Sequence, residues 1–122
     1  MKKLITILLF MSLLIAGGCS KMEEKKQTAT VEKIDTNRLL PIGTVVKLKN
    51  IDKEVMIYGR KQTQSSTKRQ YDYVAVPYPE GNISEDYNVF FNRNMIKKVL
   101  YKGYETKQEI ELREKIEKES KQ

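Results

Sequence analysis

All three prolines, all seven tyrosines and two of the three phenylalanines of this chain lie between Leu39 and Tyr104. A core needs large apolar side chains, and the turns that fold strands back on one another need backbone breakers, so only this stretch can build a compact domain. Within it the pattern is that of strands. Thr44-Val45-Val46-Lys47-Leu48-Lys49 is β-rich, Asn50 to Lys53 carries turn chemistry, and Val55 and Ile57 then alternate with Met56 and Tyr58, which predicts a hairpin. Residues 62–70 are polar without periodicity and read as a mobile loop, after which Tyr71 to Val76 resumes strand character. Pro77-Tyr78-Pro79-Glu80-Gly81-Asn82 ends that strand, because proline removes a ladder donor and Gly81 accepts positive φ. Ser84 is placed to cap a short helical turn with Glu85 and Asp86 against its dipole, Asn92 or Asn94 to start a second, and Val99-Leu100-Tyr101 to close the domain as a strand.

From Glu105 onward the composition turns to Glu, Lys and Gln without a breaker. Glu109/Arg113, Glu111/Lys115, Glu114/Lys118 and Glu117/Lys121 stand at the spacing of four that supports a helix. Leu112 and Ile116 share one face of that helix, and most of its surface must be solvated. The expected class is α+β: a small, bent antiparallel sheet of about four strands, with barrel-like closure left open, plus a C-terminal helix. The domain is predicted over 39–104 and the charged helix over 105–122.

The N-terminus follows a different grammar. Met1-Lys2-Lys3 is positive, and Leu4 to Ala16 is an apolar run interrupted only by Thr6 and Ser12, too short for the roughly 20 residues that span a bilayer. This is an export signal over 1–18. It ends in Ala16-Gly17-Gly18-Cys19, which resembles the lipobox of bacterial lipoproteins, departing from it at Ala16 where a branched aliphatic residue is usual. The resemblance implies cleavage before Cys19 and a diacylglyceryl thioether on its sulfur, and thus a chain held on the outer face of the cytoplasmic membrane. Two acyl chains, at about 0.8 kcal/mol per buried methylene, make such anchoring stable. Residues 19–38 then form the lipidated cysteine and a flexible tether, since Lys, Glu, Gln and Thr dominate there.

Cys19 is the only cysteine and there is no histidine, so neither a thiol nucleophile, a histidine base nor the usual zinc ligands are expected, and no cofactor or metal is called for. Asp72, Glu80, Glu85 and Asp86 are the carboxylates a hydrolase would have to use, but an acidic loop or helix start explains them more simply. The net charge of +7 stays positive once Lys2 and Lys3 are removed. Its lysines are scattered rather than gathered in a stripe, which argues against nucleic acid and leaves anionic envelope polymers as a partner class. Gly43 and Gly59 read as structural glycines, at a strand start and at a bulge or close approach. Tyr71, Tyr73, Tyr78, Phe90 and Phe91 supply either an aromatic recognition face or, as a domain this small requires, its core. The best surface candidate is the turn, with Tyr78, Glu80 and Asn82 as the residues expected to meet a protein partner.

Taken in order, Leu39-Leu40-Pro41-Ile42-Gly43-Thr44-Val45-Val46, Met56-Ile57-Tyr58-Gly59-Arg60, the block Tyr71 to Asn82, Tyr87-Asn88-Val89-Phe90-Phe91-Asn92 and Gly103-Tyr104 resemble the bacterial family catalogued as domain of unknown function 4176. The resemblance covers about residues 39–105. It implies a small non-enzymatic accessory protein found with type VII secretion and LXG-type polymorphic toxins. The usual member has no export signal, so here the implied partner, a secreted toxin or secretion component, is expected outside the membrane.

Overall fold

The computed structural model describes residues 34–122. The export signal, Cys19 and residues 20–33 of the expected tether lie outside the described residues. Five antiparallel strands form one open sheet: β1 (Val45–Leu48), β2 (Val55–Thr63), β3 (Gln70–Pro77), β4 (Val89–Phe91) and β5 (Ile96–Tyr101). A single helix follows, α1 (Lys107–Glu119). The spatial order is β4-β3-β2-β1-β5. The first four strands thus meander, and the chain then crosses to the opposite edge, where β5 pairs with β1. The sheet has one more strand than the sequence suggested and does not close into a barrel.

The alternation in β2 sends Val55 and Ile57 to the core, where they join Leu39, Leu40, Val46, Leu48, Tyr73, Ala75, Phe91 and Ile96. Ile34, inside the expected tether, packs against this cluster together with Met95 and Ile116. Tyr73 is fully buried and keeps its hydroxyl satisfied, accepting from the Leu40 amide at 2.8 Å and donating to the Arg38 carbonyl at 3.5 Å. Burial pushes its phenol up to about 12. Its ring lies 5.3 Å from that of Phe91. Tyr71 and Phe90, both half-buried, make a second tilted pair at 5.8 Å.

Two close approaches fix glycines. A bulge interrupts the β2–β3 register between Ile57 and Gly59, and a Cβ on Gly59 would sit 2.6 Å from Val74 Cγ1. On Gly103 a Cβ would collide with the Ile42 carbonyl; the Gly103 amide donates instead to the buried Thr44 hydroxyl at 3.0 Å. The expected mobile loop at 62–70 is corrected. β2 runs on to Thr63 and β3 begins at Gln70, so only a tight tip remains, held by the Lys68 amide donating to the Gln64 carbonyl at 2.8 Å. The two predicted helical turns are 3-10 turns, Glu85–Tyr87 with the Ser84 hydroxyl accepting from the Asp86 amide, and Arg93–Met95 after Asn92.

Helix α1 starts at Thr106, whose hydroxyl accepts from the Glu109 amide at 3.1 Å. The face it turns to the domain is mostly charged. Arg60, buried on β2, bonds Glu109 at 2.8 Å. Arg93 bridges Asp72 at 3.0 Å and Glu117 at 2.7 Å. Arg113 pairs with Glu105 and donates to the Leu39 carbonyl at 3.0 Å. Of the apolar pair expected on one face, Ile116 packs on the core, whereas Leu112 is 52% exposed.

Candidate functional site

The two faces of the sheet differ in what covers them. Residues directly opposite in antiparallel strands share a face, and the register carries one row across four strands: Tyr101 opposite Val45, Val45 opposite Met56, Met56 opposite Val76. None of the four belongs to the core cluster, so the row lies on the opposite face. Val74, opposite Phe90, extends it toward β4. Val45, Val74 and Val76 are nevertheless buried, which means this second face is packed by its own side chains.

At one end of this row is a hollow of about 320 Å³, lined by Gly43, Val45, Glu54, Met56, Tyr78, Leu100 and Tyr101. Gly43 has φ of 87°, a turn conformation that starts β1 and leaves no side chain beside the hollow. Leu100 is the extra residue of a bulge, since the β1–β5 register shifts between Val45/Tyr101 and Val46/Val99. Tyr78 reaches the rim because its amide donates to the Glu54 carbonyl at 2.9 Å, tying the start of the turn to β2. Leu100, Tyr78 and Tyr101 are 38%, 44% and 63% exposed. Such half-exposed aromatic and aliphatic side chains around a depression are what an interface anchor requires.

The structure therefore divides the predicted turn residues. Tyr78, beside a cis Tyr78–Pro79 bond, joins the hollow. Glu80 is exposed and bonds the Lys53 ammonium at 2.6 Å, which holds its carboxyl below the usual range. Asn82 is exposed and does not line the hollow. Met56, Leu100 and Tyr101 are the site residues that sequence reasoning passed over. For Met56 the signal was an apolar residue at every position of β2 from Val55 to Tyr58, which marks a strand with two apolar faces.

A larger cleft of about 650 Å³ separates the 34–40 segment from α1 and is lined by charged groups including Arg38, Glu105, Arg113 and Glu117. Four of its charged groups, Lys102, Glu105, Arg113 and Glu117, are matched within the fold. Lys102 and Arg113 hold Glu105 below its ordinary value, and Arg93 does the same for Glu117. Burial pushes the neighbouring Asp72 up, but the bonds from Arg93 and Lys61 outweigh it and bring it down to about 2. Glu117 and Asp72 in turn hold the Arg93 guanidinium above its normal value despite its partial burial. These groups clamp the helix against the sheet. Among the described residues, no three His, Cys, Asp or Glu side chains gather as metal ligands.

No curated protein and no solved structure matches the chain. Residues 39–112 match the family model described as Domain of unknown function (DUF4176), a stretch that runs from Leu39, in the core, into the middle of α1, and the chain belongs to that family.

Proposed function

We propose that this protein is a lipid-anchored, non-enzymatic binding module on the outer face of the cytoplasmic membrane, acting as an immunity or accessory factor for a type VII-secreted polymorphic toxin. The observation that carries the binding half is the apolar hollow ringed by Tyr78, Leu100 and Tyr101, on the sheet face away from the core. The anchoring half rests on the apolar run and Cys19, and the toxin on the family resemblance. A carboxylate hydrolase is less well supported. A general acid needs a carboxyl held protonated near neutral pH, whereas Asp72, Glu80, Glu105 and Glu117 are all shifted the other way by basic partners. An envelope-polymer binder is the second reading, favoured by Lys47, Lys49, Lys97 and Lys98, but it leaves the hollow unused.

The test is the chain expressed in its own envelope together with the toxin encoded beside it. The account expects a complex in pull-down and protection of growth; Cys19→Ala should lose fatty-acid labelling and the protection, while soluble protein starting at Ser20 should still bind the toxin. No complex with any neighbouring toxin, and equal killing with and without this gene, sinks the immunity reading and puts the polymer reading ahead. Labelling that persists in Cys19→Ala removes the anchor.

A further inference from the structure

The hollow has a charged neighbour on the same face of the same two strands. Lys47 stands directly opposite Lys98 in the β1–β5 ladder, two residues along β1 from the Val45–Tyr101 pair. Two residues of strand span about 7 Å. Like charges placed opposite one another in a sheet repel and cost stability, so the arrangement calls for an anion. Lys97, the extra residue of the second β5 bulge, and Lys49 stand close by in sequence, and no ion pair joins any of these four lysines to a carboxylate among the described residues. The one carboxylate in the hollow, Glu54, is outnumbered by them.

We infer that the hollow takes an apolar side chain from an acidic segment of a partner protein, and that a carboxylate about two residues further along that segment reaches Lys98 and Lys47. This rests on the binding function proposed above and names the chemistry of the partner at that site. The segment lies across the β1–β5 face rather than extending the sheet at its β5 edge. Bulges at Lys97 and Leu100 break the regular ladder along that edge, and lysines and bulges are the devices that discourage an added strand. The apolar anchor supplies affinity and the lysines supply register and selectivity for acidic sequences.

The test uses the full chain held in phosphatidylcholine nanodiscs and panned against a random heptapeptide display library. Enriched peptides are expected to carry an aromatic or aliphatic residue with Asp or Glu two positions away, and to bind less tightly as salt rises. Lys98→Glu, at an exposed position, should weaken the best synthetic peptide about tenfold or more without lowering the melting temperature, since it relieves the repulsion with Lys47, and replacing the peptide's acid by lysine should restore binding to that variant. Enrichment of neutral or basic peptides, no enrichment, or a charge swap that restores nothing overturns the inference. Nanodiscs doped with phosphatidylglycerol provide the other arm: protein that ignores every peptide but gathers on anionic nanodiscs through Lys47 and Lys98 has a membrane-facing surface instead, and the inference fails. A chain that binds the neighbouring toxin yet ignores the charge swap loses this inference and keeps the binding function; acidic peptides bound with no toxin binding do the reverse.

Discussion

The two faces of the sheet are built from the same strands and held by different physics. On the inner face, aliphatic side chains from β1, β2, β3 and β5 meet Tyr73 and Phe91, and α1 is then fastened over the assembly by arginines at positions 60, 93 and 113. On the outer face an apolar row crosses four strands and ends in a half-exposed hollow. The inner face spends its polar groups on itself: every arginine there has a carboxylate. The outer face leaves tyrosines half exposed and lysines unmatched. A surface so arranged has little reason to exist for stability alone, which is why the outer face is the candidate for recognition.

Adjacent residues on β2 provide the sharpest contrast, because Ile57 points to the core and Met56 belongs to the outer row. Ile57→Ala should lower the unfolding free energy by about 3 kcal/mol through the cavity it leaves, while Met56→Ala should cost about 1 kcal/mol or less. Urea unfolding measures both. Equal losses would mean the two faces share the burden of stability, and the division between them would fall.

The clamp comes next in size. Arg93→Ala removes the partner of Asp72 and of Glu117 at once, leaving two partly buried carboxylates without it, and should cost about 2 kcal/mol. Arg93→Lys should recover only part of this, since an ammonium cannot bridge two carboxylates with a planar fork. A smaller effect is its pH dependence. The Asp72 carboxyl is lowered to about 2 in the folded chain from an ordinary value of 3.8. A depressed carboxylate contributes stability that is full above the unfolded value and lost as pH falls through the folded one. Stability should thus decline between about pH 4 and pH 2, and Asp72→Asn should flatten that part of the profile. A profile unchanged in Asp72→Asn would assign the acid sensitivity to other carboxylates.

What the sequence made legible depended on how local the cause was. The strand cores from Val45 and Val55, the Ser84 cap and the helix beyond Glu105 were readable because period-two patterns, side-chain caps and spacings of four act between near neighbours. The strand ends at Gln62, Thr63 and Gln70 fell inside the loop expected over 62–70, because these residues are exposed and show no periodicity; their strand state rests on ladder bonds that composition does not reveal. β4 was missed since three residues, Val89 to Phe91, are too few to show alternation. Of the four helix pairs expected at a spacing of four, one is bridged; Glu111 stands instead 3.9 Å from Lys107, and Lys115 3.9 Å from Glu119. Glu109 and Arg113 do approach at 3.2 Å, but Glu117 turns to Arg93, twenty-four positions away, because a partly buried guanidinium outcompetes an exposed lysine on the same helix. For the site, Tyr78 was found through its turn. Leu100 and Tyr101 were assigned only to a closing strand, since nothing local says that a strand from the end of the domain will lie beside β1.

The most direct measurement replaces Tyr78 and Tyr101 by alanine together and follows two quantities in the same preparation: the urea midpoint and the affinity for the toxin encoded beside the gene. Both rings stand at the hollow, Tyr78 half exposed and Tyr101 more so. The account predicts a midpoint close to that of the unaltered chain and binding weaker by about 2 kcal/mol, roughly thirtyfold, with growth protection lost. Unaltered binding with an unaltered midpoint would place recognition elsewhere on the molecule, and a collapsed midpoint would show that the outer face holds the fold together instead of meeting a partner.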